Sequence, residues 1–224
     1  MSKKESGTVD FFTDDLVLPK TAGKGLKVGQ WDETDTDSAA FGWRDITTQI
    51  IVRGTGPTDP SWARIGSTAF YAYDFSVNDQ CWMAFHVPHD IVPDSDIFFH
   101  TYWLTNGTST NNVTWQYTYA YAKGFNQGAF DFALANSPLT DAGIVTCQQA
   151  ASGTAYQHMV TETDGVSIAG LSEPDGIIYV NIKRITNGSP GGADNADGVF
   201  VLTSDIHYQS TNMATINKAP GFYS

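Results

Sequence analysis

The sequence predicts an all-β protein, a jelly-roll-like antiparallel β-sandwich with an extended N-terminal arm and a short C-terminal tail. Short segments rich in aromatic and β-branched residues recur along the chain, with turn residues between them and no persistent helical period. Aromatic residues make up 13% of the chain and charged residues only 16%, against about 25% charged residues in an average globular protein. No repeat of fixed period is visible, which disfavours a propeller or a solenoid.

Composition divides the chain into an arm at residues 1–40, a β-sandwich domain at residues 41–210 and a tail at residues 211–224. The arm mixes acidic residues with isolated apolar ones, and the tail is polar except near its end. Terminal segments of this kind are usually ordered only where something holds them. We therefore expect the arm to lie over its own domain or over a neighbour, and the apolar residues of both segments to contact another protein or another subunit. The residues expected to make these contacts are Phe11, Phe12, Leu16, Phe222 and Tyr223.

The first half of the domain is expected to contain four strands separated by turn signals. The residues from Gly54 to Pro57 end the first segment, and Pro88 ends the third. The fourth segment is apolar on both faces, which indicates burial on both sides, either between two sheets or beneath another subunit. The four segments are 46–53, 67–76, 80–87 and 96–104.

The segment 113–122 has the clearest strand pattern, because large apolar side chains occupy alternate positions throughout. Asn106 and Gly107 lie between it and the segment 96–104, and Asn-Gly is the pair preferred in short hairpin turns. We therefore expect the two segments to pair as an aromatic hairpin at the centre of the fold. A sugar-stacking platform and a subunit interface are the alternatives to a core position for the aromatic row. The expected core residues of this region are His100, Trp103, Trp115, Tyr117 and Tyr119.

Strand signals are less regular in the second half of the domain. The stretch 125–153 has the weakest signal, and a short helix is expected around residues 141–150. The stretch 186–198 is rich in Gly, Asn and Asp and is expected to form a loop. The remaining strands are expected at 156–163, 177–185 and 199–208.

Charge and cysteine usage limit the classes of function. The formal charge is −12, from 24 acidic and 12 basic residues, so the basic footprint of a nucleic-acid-binding protein is missing. An anionic membrane surface is disfavoured for the same reason, and no apolar stretch is long enough for a membrane span or a secretory signal. Cys81 and Cys147 lie far apart and belong to no CxxC motif, so free thiols are expected, with a single disulfide as the alternative.

Two histidine positions merit attention as possible sites. His86 and His89 have the HxxH spacing, but Pro88 lies between them, so the pair spans a strand end and not one rigid face. We expect a strand-end cluster that hydrogen-bonds the turn backbone. His100 lies within a doubly apolar strand, where a buried neutral imidazole with a satisfied partner is expected and an interface position is the alternative.

The acidic residues and the short motifs do not predict catalysis. The acids expected on strands are Asp74, Asp96 and Asp205, and no second acid is expected beside any of them, as a paired-carboxylate hydrolase would require. The acidic loops near Asp94 and Asp194 do not match the spacing of a calcium loop. No nucleophile elbow, P-loop, zinc-protease or dinucleotide motif is present. We therefore expect no catalytic residue, no metal and no cofactor.

One aromatic pattern resembles a known family. It consists of a PHD-type turn, an acidic spacer, a strand that ends in H-x-x-W and a strand with W-x-x-x-Y. The positions are Pro88, His89, Asp90, Asp96, His100, Trp103, Trp115 and Tyr119. The pattern resembles a group of bacteriophage virion structural proteins, which comprises capsid decoration and tail-associated proteins. The similarity extends over about two-thirds of the chain and excludes the arm and the tail.

The resemblance implies a structural role in a virion and no enzymatic activity. We expect a capsid decoration (cement) protein on the capsid surface, made in the host cytoplasm, that binds and stabilises the shell of major capsid protein. A closed ring of its own copies, most simply a homotrimer, is expected, with no nucleic-acid or membrane partner. The alternative is a carbohydrate- or receptor-binding module of a tail or head fibre, and a sandwich glycosidase or depolymerase is a more distant one.

Overall fold

The structure is a computed structural model that describes residues 42–54, 56–130, 142–188, 192–211 and 214–223. Within these ranges ten strands form two antiparallel sheets, and no helix is present. The predicted antiparallel β-sandwich is therefore confirmed, whereas the jelly-roll connectivity stays a prediction. The arm and its expected contacts Phe11, Phe12 and Leu16 lie outside the described residues.

The ten strands lie between residues 42 and 210. In chain order they are β1 (Gly42–Thr47), β2 (Ser61–Arg64), β3 (Tyr71–Asp74), β4 (Gln80–His86), β5 (Ile97–Thr105), β6 (Asn112–Ala122), β7 (Ala142–Ala150), β8 (Met159–Glu162), β9 (Ile177–Ile185) and β10 (Val199–Ser210).

The two sheets differ in width. The six-stranded sheet has the order β2-β3-β10-β5-β8, and β1 also pairs with β10. The four-stranded sheet has the order β4-β9-β6-β7. Strand β10 is long enough to pair with β3 near its start and with β1 over its second half, with a bulge between Val201 and Thr203. The six-stranded sheet therefore has β8 at one edge, and β2 and β1 at the other.

The core lies between the sheets and is unusually aromatic. Phe99 of β5 stacks on Tyr117 of β6 with ring centroids 5.1 Å apart, and Phe75 meets Trp115 edge to face at 5.6 Å. Full burial of a side chain of this size stabilises the fold by about 1.5–3 kcal/mol. The five residues expected in the core, His100, Trp103, Trp115, Tyr117 and Tyr119, are all buried.

The expected hairpin between β5 and β6 is wrong, because the two strands belong to different sheets. The connection at Asn106 and Gly107 crosses from one sheet to the other. The main-chain N–H of Asn106 donates to the Gly198 carbonyl, and the Asn106 side-chain oxygen accepts from the Gly198 N–H at 2.9 Å. These bonds hold the connection against the loop before β10. The aromatic faces of β5 and β6 consequently stack across the core and do not lie side by side.

The expected helix around residues 141–150 is also wrong. Residues Ala142–Ala150 form β7, which pairs with β6 over nine residue pairs from Asn112↔Ala150 to Ala120↔Ala142. Burial alternates along the strand, with Ile144 exposed and Val145 and Cys147 partly buried against the core. Pairing with the long strand β6 supplies hydrogen bonds that the weak local signal of this segment did not predict.

The C-terminal tail folds back onto the sandwich. The N–H groups of Ile216 and Asn217 both donate to the carbonyl of Phe222, and the Phe222 ring is only 1% exposed. Its ring contacts His89 and Phe125, with centroids 5.8 and 6.0 Å away. The expectation of Phe222 as a contact for another protein therefore needs correction, because the side chain is covered by its own chain. The neighbouring Tyr223 is partly exposed.

Both cysteines are free. Cys81 of β4 is buried in the core. The described residues contain no helix that is long and apolar enough to cross a membrane.

Candidate functional site

The inner face of the six-stranded sheet continues past the core to an exposed edge. One cross-strand row runs from Trp103 of β5 through Val201 of β10 and Tyr73 of β3 to Trp62 of β2. Residues opposite one another in adjacent strands point to the same face. Trp103 is fully buried, Tyr73 is partly buried against the core, and Trp62 is 62% exposed. A surface with the composition of the core is therefore open to solvent at the β2 edge.

The exposed end of this row is an aromatic platform, formed by Trp62, Arg64, Tyr71 and Tyr73. The ring of Trp62 stacks on that of Tyr71, with centroids 6.4 Å apart and planes at 16°, and meets Tyr73 edge to face at 4.9 Å. The guanidinium of Arg64 lies over the Tyr71 ring, 5.8 Å from its centroid. Phe70, in the turn before Tyr71, is also largely exposed. Contacts within the β2–β3 pair therefore position the four side chains of the platform.

A cavity of about 520 Å³ adjoins the platform. Trp62 and Tyr73 line one side of it, and Asp59 lies at its margin. One carboxylate oxygen of Asp59 accepts from the Gly56 N–H at 2.6 Å, while the other is buried and accepts no hydrogen bond from any described residue. Arg53 approaches that second oxygen only to 3.7 Å. The cavity thus has an aromatic wall, and the acidic side chain of Asp59 beside it is only 1% exposed.

The outer face of the same sheet gathers a second group, which we call the His–carboxylate cluster: Asp45, His100, Glu162, Asp205 and His207. Cross-strand pairing creates it, because His100 of β5 lies opposite Asp205 of β10 on one side and Glu162 of β8 on the other. His207 lies two residues beyond Asp205 and opposite Asp45 of β1. Four strands therefore contribute to one surface of ionisable side chains.

The two imidazoles of the cluster lie against one another, with ring centroids 3.6 Å apart. His100 contacts Glu162 through Nε2, and its Nδ1 lies 3.3 Å from the buried carboxylate of Asp205. Burial by itself lowers the pKa of His100, but the interactions with Asp205 and Glu162 outweigh it, so the pKa is raised above its ordinary value. The ring is therefore buried with carboxylate partners that favour its charged form more than water does.

Aromatic contacts flank this cluster on the same face of the sheet. Tyr102, two residues along β5, stacks on His158 with ring centroids 5.7 Å apart, and Trp43 meets Phe98 edge to face at 5.3 Å. Burial and the nearby carboxylate of Asp205 raise the pKa of Tyr102 to about 12, so this phenol stays protonated.

The HxxH pair forms a separate and simpler cluster. His86 and His89 both direct Nε2 at the same oxygen of Asp175, at 3.0 and 3.2 Å, and His89 Nδ1 contacts the Thr215 hydroxyl at 2.5 Å. The partner of the pair is therefore a carboxylate just before β9 and not the turn backbone that we expected. This cluster ties the end of β4 to the tail.

Sequence reasoning missed the His–carboxylate cluster. The sequence predicts no acidic neighbour for Asp205, yet Asp45 lies near it, and Glu162 contacts the same histidine, His100. The alternation Asp205-Ile206-His207 shows that the acid and the imidazole share a face, and this was the only local signal. The acidic loop residues have structural partners, as expected of turns: Asp194 accepts from the Asn187 N–H and Asp197 from the Ser109 N–H.

No protein-family model matches the chain, and a search of curated proteins finds no significant match.

Proposed function

We propose that this protein is a capsid decoration protein of a bacteriophage virion, which binds the major capsid protein and stabilises the shell. Two observations support the proposal. The aromatic strand pattern of β5 and β6 resembles that of virion structural proteins. The aromatic platform is exposed at the edge of a β-sandwich with a large buried core. We further propose that the protein acts without catalysis.

The observation that carries this proposal is the row from Trp103 to Trp62. The row ends at Trp62, which is exposed in the single chain. Another surface must cover this end of the sheet before the Trp62 side chain can be buried. Trp, Tyr and Arg are also the residues most enriched at the energetic centres of protein interfaces, and the platform consists of these three types alone. We propose that the major capsid protein covers it.

The edge position suits such a contact. Strand β2 is a sheet edge of four residues directly after Pro60, so it offers few main-chain groups for pairing with another strand. Binding would therefore use the side chains of the platform. The arm, with Phe11, Phe12 and Leu16, is proposed as a second contact, and a homotrimer on the capsid surface as the assembly.

Addition to undecorated capsids tests the platform. The full chain and its Trp62→Ala variant are mixed with capsids that lack the protein, and bound protein is measured after sedimentation. We expect Trp62→Ala to weaken binding at least tenfold, because alanine removes the exposed centre of the platform. Tyr179→Ala, a change on the four-stranded sheet, is the matched control and should bind as the native chain does. Equal binding by Trp62→Ala and the native chain would contradict the proposed contact.

Copy number in the virion and an arm deletion test the rest of the proposal. Hundreds of copies per particle are expected for a protein that coats a shell, and a handful would place it in a tail or fibre. Removal of residues 1–40 should weaken addition to capsids, and unchanged addition would exclude the arm as a contact. Light scattering of the purified chain checks the homotrimer.

A carbohydrate- or receptor-binding module is the second candidate, and the cavity beside the platform favours it. Sugars stack on aromatic rings, and Trp62 and Tyr73 line the cavity and offer this kind of contact. Binding on a glycan array that Trp62→Ala abolishes, together with unchanged addition to capsids, would favour this function over decoration.

A further inference from the structure

Two histidines of the His–carboxylate cluster converge on one oxygen. His100 contacts the Oε2 atom of Glu162 through Nε2, and His207 Nδ1 lies 3.7 Å from the same atom. One donor atom from each of these three residues lies within 4.8 Å of the other two. The residues come from three adjacent strands, β5, β8 and β10, so the sheet fixes their relative positions.

The remaining ring nitrogens are each held by a separate carboxylate. Nδ1 of His100 lies 3.3 Å from Asp205 Oδ1, and Nε2 of His207 lies 2.5 Å from Asp45 Oδ1. Metal-binding histidines almost always give their second nitrogen to a carboxylate, a carbonyl or a water, which orients the ring and raises its basicity. Both histidines of the cluster already have this arrangement.

Carboxylates outnumber imidazoles in the cluster. Asp45, Glu162 and Asp205 bring three carboxylates together, and within the described ranges no lysine or arginine forms an ion pair with any of them. The side chain of Asp205 is only 6% exposed, and its Oδ1 atom has the ion-pair contact with His100 Nδ1 at 3.3 Å but accepts no hydrogen bond of good geometry from a described residue. Buried carboxylate oxygens without a hydrogen bond are costly unless a charge compensates them.

We propose that His100, His207 and Glu162 bind a divalent transition-metal ion, with zinc(II) as the best fit, and that Asp205 and Asp45 orient the two imidazoles. Two nitrogen donors and one carboxylate suit zinc, whereas calcium and magnesium prefer oxygen donors alone. Bonds of about 2.0–2.2 Å to zinc require the half-exposed side chain of Glu162 to move away from His100 Nε2, so that the ion fits between the two donors. The fourth coordination position is left for water or for a group of a partner. The site is independent of the aromatic platform and of the proposed decoration function.

The HxxH cluster is a weaker candidate for the same ion. Both of its histidines face a single oxygen of Asp175, and His89 uses its other nitrogen on Thr215. In the described part of the chain, three such donors approach within 4.8 Å only in the set above and in the overlapping set Asp45, Asp205 and His207. The outer face of the six-stranded sheet is therefore the site to test.

Calorimetry with zinc chloride tests the proposal on the full chain after treatment with a chelator. We expect one zinc ion per chain with micromolar or tighter affinity, and a higher melting temperature in the presence of zinc. Glu162→Gln and His207→Gln each remove one donor at a partly exposed position and should weaken zinc binding at least tenfold. His158→Gln is the matched control, because that ring lies on the same face against Tyr102 but outside the donor set, and it should bind zinc as the native chain does.

For each variant, the melting temperature with zinc is compared with the melting temperature of the same variant without metal. A variant that is less stable but still binds zinc is therefore not mistaken for one that has lost the site. Circular dichroism verifies that each variant is folded. Cobalt(II) supplies a second readout, since a site with nitrogen ligands gives a visible absorption band that Glu162→Gln should alter. Failure of the native chain to bind zinc at micromolar concentration would overturn the proposal. Equal binding by His207→Gln, or loss of binding in His89→Gln alone, would overturn it as well.

Discussion

The hydroxyl groups of Thr101 and Tyr117 lie 2.6 Å apart in the middle of the core and join the two sheets. Thr101 belongs to β5 of the six-stranded sheet and Tyr117 to β6 of the four-stranded sheet. Both side chains are fully buried. Burial raises the pKa of Tyr117 well above its ordinary value, so the phenol keeps its proton. The stacking of Phe99 on Tyr117 joins the same two strands. A hydrogen bond and an aromatic contact therefore both connect β5 with β6 across the core.

Removal of one hydroxyl from this pair should destabilise the fold. Tyr117→Phe leaves the buried Thr101 hydroxyl without its partner, and we expect it to lower the free energy of unfolding by about 1–3 kcal/mol. Thr101→Val combined with Tyr117→Phe should cost less than the sum of the single changes, because neither group is then left unsatisfied. Chemical denaturation of the four proteins measures the coupling, and strict additivity would show that the hydroxyls do not interact.

Arg184 is the buried cation that holds the start of β10. Its guanidinium donates to the carbonyls of Phe75 and Asn195, each at 2.6 Å. Burial lowers the pKa of Arg184, and the nearby acids Asp194, Asp74 and Asp79 act in the opposite direction. Arg184→Met leaves both carbonyls unsatisfied and the acids uncompensated, and should lower the free energy of unfolding by about 3–5 kcal/mol.

Lys183→Met is the matched control for this change, because the adjacent side chain points to the other face of β9. We expect it to alter the free energy of unfolding by no more than about 0.5 kcal/mol. Denaturant titration of both variants compares them. Similar small effects of the two changes would contradict a structural role of the Arg184 hydrogen bonds.

Strands in which apolar and polar side chains strictly alternate could be predicted from the sequence, because one face of such a strand is buried in the core. In β9 the residues Ile178, Val180 and Ile182 point inward, so period 2 is visible without a structure, and the predicted bounds agree with the observed ones. Strand β7 could not be predicted in this way, because its alternate positions are small or polar and only pairing with β6 defines it. The edge strand β2 has only four residues, which are too few to show a period of 2.

The partners of the strands could not be predicted, and the sites depend on them. Asn106-Gly107 has the local chemistry of a hairpin turn, yet its bonds to Gly198 direct the chain across the sandwich. His100 and Glu162 are distant in sequence and become neighbours only through the pairing of β5 with β8. A single sequence contains the side chains of the cluster but not the register that assembles it.

Phe222 should behave as a core residue. Its ring is buried beside His89 and Phe125, so Phe222→Ala should lower the free energy of unfolding by about 3–5 kcal/mol. Ile216→Ala, a change at a largely exposed position of the same tail, is the control and should have an effect within about 0.5 kcal/mol. Thermal or chemical denaturation measures both. If Phe222→Ala leaves stability unchanged but weakens binding to capsids, the ring is a surface contact after all.

The two cysteines should resist alkylation while the protein is folded. Burial raises the pKa of Cys81 to about 12 and that of Cys147 to about 12 as well, so the reactive thiolate is scarce at mildly alkaline pH. We expect iodoacetamide to label the native protein far more slowly than the same protein in denaturant, where both thiols regain ordinary pKa values. Cys147 should label before Cys81, because β7 is the edge of the four-stranded sheet whereas Cys81 faces the core. Mass spectrometry of the labelled peptides over time distinguishes the two sites, and labelling of native Cys81 at the rate of the denatured chain would contradict its place in the core.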